Sequence, residues 1–474
     1  MPIIFPRLIA ALATAAILAL SHNAYSDSFS CPAQASWVSN PSAPSEVPLG
    51  ENADFCQFYQ FSWQWFLQLM APSPDNASER NFQVQENYPV LEANQENSCD
   101  DKITSMTLTR SLDKMPESFN IPDRTGQAGT SNEGIYDQAG KVVYYDVRFS
   151  RNMCDIGKIQ STPNFPPGTT EIKTAWKQLT SNDDANDYLI MTANIDGVAG
   201  EETLGLIGFH IAIATELHPE MIWASFEHMA NAPRCNTPSE ANTQWSFASK
   251  ACIEAPSDCQ FNQAVEVTEP SGHAPTEICR VHPFGTKQGD PNFKKNITAI
   301  NDLNAQINAL VSELTPSDPM HVLKNYFNIG ALWLNDITQP SASAKGDVPN
   351  IANQRGSLRL ANTVMETTFQ DGFKSATTYQ EYSSNCFGCH EYTVDPYYRN
   401  TGPHNRFDVS HIFINDILAG QCKTPSDVAT GPIWSDKDAQ AKCAKTCETQ
   451  GGWNGNWRTT SPGASSVCAC CGAP

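Results

Sequence analysis

The sequence predicts an α+β protein: a large domain mixing a sheet with helices, followed by a small disulfide-stapled β module. Three observations predict it. Four segments in the middle of the chain (141–149, 187–195, 203–215 and 221–230) are rich in β-branched and aromatic residues and bounded by turn residues. Helix-like stretches bracket them, at 53–72 before and 297–314 after. Then the composition changes abruptly: residues 431–471 hold Trp434, Trp453 and Trp457 together with Cys443, Cys447, Cys468, Cys470 and Cys471.

Taken in order, residues 1–26 read as a cleaved export signal: Arg7, an apolar run from Ile9 to Leu20, then Ala24 and Ser26 before Asp27. That run is too short to span a bilayer, which needs roughly 20 apolar residues. The expectation is an exported protein without a membrane span, periplasmic or secreted. Residues 27–425 form the large domain, opening on an irregular Pro- and Ser-rich lead-in. The aromatic-rich 53–72 reads as a buried helix that Pro72 ends.

Strands 203–215 and 221–230 flank Pro219 and predict a hairpin. If it centres on Pro219, His210 and His228 stand opposite each other and can hold a metal or face a cofactor; the alternative is two satisfied sheet histidines. Residues 231–290 are polar and punctuated by Cys235, Cys252, Cys259 and Cys279, which predicts a long loop insertion stapled by two disulfides. Ile297, Ile300, Leu303, Ile307, Leu310, Val311 and Leu314 form one helical face. Residues 317–334, 358–373 and 407–420 are expected to be further helices.

The chain carries 16 cysteines, all beyond the signal, and 30 basic against 51 acidic residues, a formal charge of −21. Such cysteine usage fits an oxidising compartment. The negative charge argues against nucleic acid or an anionic membrane as partner, because both are polyanions.

The chemistry concentrates in "NCFGCH", residues 385–390. Two cysteines three positions apart on a helical turn can form thioethers to the two vinyl groups of a haem, and the next residue then lies under the iron. Cys386 and Cys389 are therefore the expected anchors of one covalent haem c, with His390 as proximal iron ligand. A structural zinc site would need a second ligand pair at metal spacing, which this stretch lacks. No methionine follows His390, so the distal ligand is expected elsewhere. His411 is the preferred candidate because it shares a helical face with Phe407, Ile414 and Leu418; His404, Met365, His210 and His228 are the others.

Residues 50–420 resemble a group of exported bacterial cytochrome c family proteins of uncharacterised activity. The likeness rests on "SWQWFLQLMAP", "GIYDQAGKVVYYDVRF", "EIKTAWKQL", "LGLIGFHIAIATELHPEMIWASFEHMANAP" and "LANTVMET" ahead of the CxxCH.

In the C-terminal module, tryptophans among Asn454, Asn456, Thr459 and Thr460 either form a tiny core or offer indole faces to a sugar. The pattern "GPIW…DAQAKC…TC…GGWNGNW.T…SVC.C" resembles the mannan-binding lectin module of cyanobacterial lectins. The resemblance implies that residues 429–474 are a small β fold binding mannose-rich glycans, with Trp453, Asn454, Gly455, Asn456, Trp457 and Thr459 in contact with sugar. Those lectins carry tandem modules; one is present here, so avidity within one chain is not expected.

Together these readings predict an exported c-type cytochrome that transfers electrons to an unidentified redox partner and is tethered to mannose-type glycans. One alternative is a haem oxidoreductase, peroxidase- or oxygenase-like, with an open iron and His210 and His228 in the distal pocket. Another is a carbohydrate-binding protein whose haem is structural.

Overall fold

The computed structural model describes residues 31–44, 46–47, 55–89, 107–108, 133–153, 165–195, 200–236, 244–267, 271–336, 353–371, 373–374, 381–382, 385–390, 426–434, 436–447, 450, 453–461 and 463–470. The signal segment, His404, His411 and the expected helix at 407–420 lie outside the described residues.

Among the described residues, eight strands form the main sheet: β1 (Thr107–Leu108), β2 (Tyr144–Phe149), β3 (Thr170–Gln178), β4 (Ile190–Ile195), β5 (Glu201–Ile213), β6 (Ile222–His228), β7 (Tyr326–Leu334) and β8 (Gln354–Gly356). The helices are α1 (Ala35–Ser39), α2 (Phe55–Met70), α3 (Lys250–Glu254), α4 (Phe293–Ser312), α5 (Cys386–His390) and α6 (Asp436–Cys447). Long β5 is the hub. One of its edges pairs antiparallel with β3; the other pairs first with β4 and then with β6. The ladder continues through β7 to β8, and β2 closes the far side on β3.

Both faces of β5 are covered, which is why it reads as a nearly unbroken apolar run. Phe209, Ile211 and Ile213 join the core under α2 and α4. Phe66 of α2 stacks on Phe226 at 4.0 Å, Phe58 stacks on Trp333 at 3.9 Å, and Trp63 meets Phe226 edge-on. On α4, Ile300, Leu303, Ile307 and Val311 are buried at the expected three-and-four spacing. Polar pins fix the helices: the Tyr59 hydroxyl donates to Asn296 (2.7 Å) and Trp63 Nε1 to Asn304 (3.0 Å).

The opposite face, which carries Gly208, His210 and Ala212, is covered by irregular segments. Residues of 231–290 and 353–371 pack there, together with the short α5. The stapled-loop expectation holds, with Cys235 bonded to Cys279 and Cys252 to Cys259. Cys31–Cys56 ties the lead-in to α2.

Two helical expectations are corrected. Residues 317–334 hold only a short 3₁₀ turn, His321–Asn325, and then the central strand β7. A strand buried on both faces is as continuously apolar as a buried helix, so periodicity cannot separate the two. The β7 backbone also needs Gly330: φ is 151°, and a Cβ there would come within 2.1 Å of Ser357 Oγ. Residues 358–371 are turns with one 3₁₀ turn, Thr367–Phe369, and Phe373 opens a two-residue strand. Their side chains bond to the sheet instead of following a helix. Asn362 Nδ2 donates to Ser225 Oγ (3.0 Å) and the Phe226 carbonyl (3.1 Å), and the Thr363 amide donates to the buried Glu227 carboxylate (2.7 Å).

The C-terminal module is a three-stranded antiparallel sheet, β9 (Ser426–Thr430), β11 (Ser465–Cys470) and β10 (Trp453–Ser461) in that spatial order, with α6 packed on it. Cys443–Cys468 and Cys447–Cys470 join helix to sheet.

Candidate functional site

Two places carry candidate chemistry: the CxxCH turn and the module. The turn is one short helix, α5, so Cys386 and Cys389 lie at i and i+3, and His390 lies four residues from Cys386. Asn385 pins it to the sheet, its Nδ2 donating to Gln354 Oε1 (2.8 Å) and the Leu358 carbonyl (3.0 Å). Phe387 is buried beside Trp223, Leu358 and Leu360, and half-buried Cys386 packs against the same cluster. The His390 ring rests on Trp223, centroids 4.5 Å apart. The side chain of Cys389 lies outside the described residues. A two-cysteine, one-histidine donor set on a single helical turn fits a covalent haem c.

The structure separates the two strand histidines. His210 pairs with Ser225, not His228, because the chain turns at Glu216–Leu217, ahead of Pro219. The three-residue change of register is odd, so it also sends the two side chains to opposite faces. His228 is buried and stacked on Tyr188 at 4.3 Å. Its Nδ1 accepts from the Ala230 amide and its Nε2 contacts the Asp187 carbonyl at 3.0 Å, so both nitrogens are engaged. Burial pushes its pKa down to about 4. It is a satisfied sheet histidine. Met365 is likewise core, buried over Gly208.

His210 stays half-buried on the face that carries α5. Its Nε2 meets both oxygens of Glu366 at 3.1 and 3.0 Å, and Lys173 Nζ lies 3.5 Å from the same carboxylate. Burial alone would raise the Glu366 pKa, but the charges of His210 and Lys173 and hydrogen bonds from His210 and the Asn362 amide bring it down to about 2. A carboxylate holding one imidazole nitrogen fixes the ring and leaves the other to exchange a proton. With Nε2 engaged by Glu366, that nitrogen of His210 is not open to another ligand. Glu366 and Lys173 were not singled out from sequence. Lys173 alternates along a strand like any surface residue, and Glu366 sits in a segment that reads as a helix.

In the module, the ladder between β10 and β11 breaks at the predicted sugar segment. Trp453 pairs with Cys470 and Trp457 with Cys468, so four steps on β10 match two on β11 and Asn454–Asn456 leave the regular register. The side chains of Trp453, Asn454, Gly455 and Asn456 lie outside the described residues. Trp457 is half-buried against the small core and Thr459 is exposed. Trp434, absent from the predicted contact set, is 71 % exposed. It stands at the tip of the β10–β11 hairpin, where a Cβ on Gly463 (φ 73°) would lie 3.5 Å from its ring. The two described indoles thus divide, with Trp457 turned to the core and Trp434 to solvent. A solvent-exposed indole suits the C–H face of a sugar ring.

Residues 436–470 match the family model of the mannan-binding protein MVL. This stretch is similar to a carbohydrate-binding module. No curated protein and no solved structure matches the chain. Among the described residues, five disulfides are formed and no helix is long and apolar enough to cross a membrane. Disulfides in this number fit the periplasm or the extracellular space. No group of three or more His, Cys, Asp or Glu able to hold a metal ion occurs among the described residues.

Proposed function

We propose that this is an exported carbohydrate-binding protein that attaches to mannose-type glycans through residues 429–474. The observation that carries the reading is the match of 436–470 to the mannan-binding family, supported by the exposed Trp434 and the irregular register at 453–457. One module gives one site per chain, so affinity rests on direct contacts and not on avidity. The test is titration of the whole protein with mannan oligosaccharides. Trp434→Ala is expected to weaken binding about tenfold, about 1.4 kcal/mol, and Thr459→Ala less. Undiminished binding in Trp434→Ala would remove the indole from the site.

A second reading concerns the main domain: one haem c held by Cys386, Cys389 and His390, serving electron transfer. It is favoured by the single helical turn that presents this donor set beside Trp223. Bound there, the group would supply one-electron chemistry, or peroxide and oxygen chemistry if its second axial position were open. The chain's own residues would anchor it through Cys386, Cys389 and His390, with Phe387 and Trp223 packed beside the turn and His210 held on Glu366 along the same sheet face. A pyridine haemochrome assay after expression with haem-maturation machinery tests attachment. Carbon monoxide then separates a closed iron, unaffected by it, from an open one. Glycan binding independent of redox state would favour a structural haem.

A further inference from the structure

One donor beside the CxxCH turn has no acceptor. Trp223 is 6 % exposed, and its buried Nε1–H makes no hydrogen bond. Buried donors are almost always paired, so an orphan marks a place where a partner is missing. The indole touches the turn directly, 4.5 Å from the His390 ring and 5.9 Å from Phe387. Its packing is otherwise apolar, in the cluster that holds Leu332, Leu358, Leu360 and Phe387, with one polar side chain at a diagonal position. On the same face Trp223 is the diagonal neighbour of His210, which pairs with Ser225 and, on its other side, with Lys173; such diagonal pairs lie about 7–8 Å apart. Glu366 has its oxygens occupied by His210, Lys173 and the Asn362 amide, so it does not serve as the indole's acceptor.

We infer that Trp223 is a hydrogen-bond donor to the ligand of the CxxCH turn, and that this ligand presents a carboxylate to it. The inference rests on the haem reading, in which the carboxylates of the haem itself supply the acceptor. Trp223 is then a cofactor-binding residue that no cysteine–histidine pattern would reveal.

The test uses Trp223→Phe in two full-length backgrounds, the haem-loaded protein and a haem-free Cys386→Ser/Cys389→Ser chain. In the loaded protein the variant is expected to keep its covalent haem, melt about 2 °C lower or more, and shift the carboxylate bending band in the resonance Raman spectrum. In the haem-free chain the same change removes an unpaired buried N–H and leaves the melting temperature unchanged or raised. An equal loss in both backgrounds would mean a packing role only, and an unchanged Raman band in the loaded variant would overturn the assignment. Should Trp223→Phe fail to fold, the wild-type indole N–H resonance decides: it must move downfield between haem-free and loaded chains. A negative haemochrome assay on the wild type would sink the haem reading and this assignment with it, whereas a positive one with no Trp223 effect sinks the assignment alone.

Discussion

The main domain and the C-terminal module solve the same problem by different means. The main domain buries aromatic side chains on both faces of a sheet that has eight strands among the described residues. Among the described residues, the module's buried apolar core is Ile433, Ala439 and four half-cystines, Cys443, Cys447, Cys468 and Cys470. A unit that small cannot gather enough apolar area, so covalent links replace it. The difference extends to tryptophan: Trp63 and Trp176 are fully buried in the sheet domain, whereas the module leaves Trp434 in solvent. Freed from building a core, that indole is available to a ligand.

The largest expected effect falls on the module. Cys443→Ser with Cys447→Ser removes both links, each worth about 2–5 kcal/mol, and is expected to abolish mannan binding while the main calorimetric transition persists. Binding that survives would break the contrast. Next, Phe226→Ala is expected to destabilise the main domain by about 3–5 kcal/mol in denaturant unfolding, with glycan affinity unchanged.

A pH experiment sharpens the picture of the sheet. His228 is held near 4 by burial, below its ordinary 6.5. Its folded pKa is depressed, so the unfolded chain binds the proton first. The stability it contributes is full above pH 6.5 and is lost as pH falls toward 4, by about 3 kcal/mol. Melting temperatures across that window are expected to fall less steeply in His228→Phe than in the wild type; parallel slopes would refute the assignment. The smallest effect is expected at the surface. Lys250 and Glu254 pair at 3.6 Å with both side chains largely in water, so Lys250→Ala is expected to change stability by less than about 0.5 kcal/mol.

Much of this was legible in the residues. The aromatic run of α2, the β-branched and aromatic segments of β2, β4, β5 and β6 and the stapling of 231–290 follow from local pattern and cysteine placement, whereas β3 was not singled out. The module was legible from its fixed spacings. β7 was not, because "YFNIGALWL" is equally apolar for a doubly covered strand and a buried helix. Residues 358–371 misled for another reason: Asn362, Thr363 and Glu366 are bonded to distant strand residues, so their spacing reflects partners and not a helical face. The hairpin register failed by three residues because the turn formed around Glu216–Leu217, where the Thr215 amide bonds the His218 carbonyl (3.1 Å), and not around the proline.

The sequence by itself determined the class of fold, the existence of a separate cysteine-bound module, the cysteine–histidine turn and the sugar-binding likeness. All are properties of composition, spacing or short-range period. Only the tertiary structure decided that His210 belongs to Glu366 and Lys173, that His228 is sealed in the sheet, that Trp223 lies beside His390 with its N–H bare, and that Trp434 is exposed. Each of these depends on strand register and on packing between residues far apart in the chain, and a one-residue slip in register moves a side chain to the other face of the sheet.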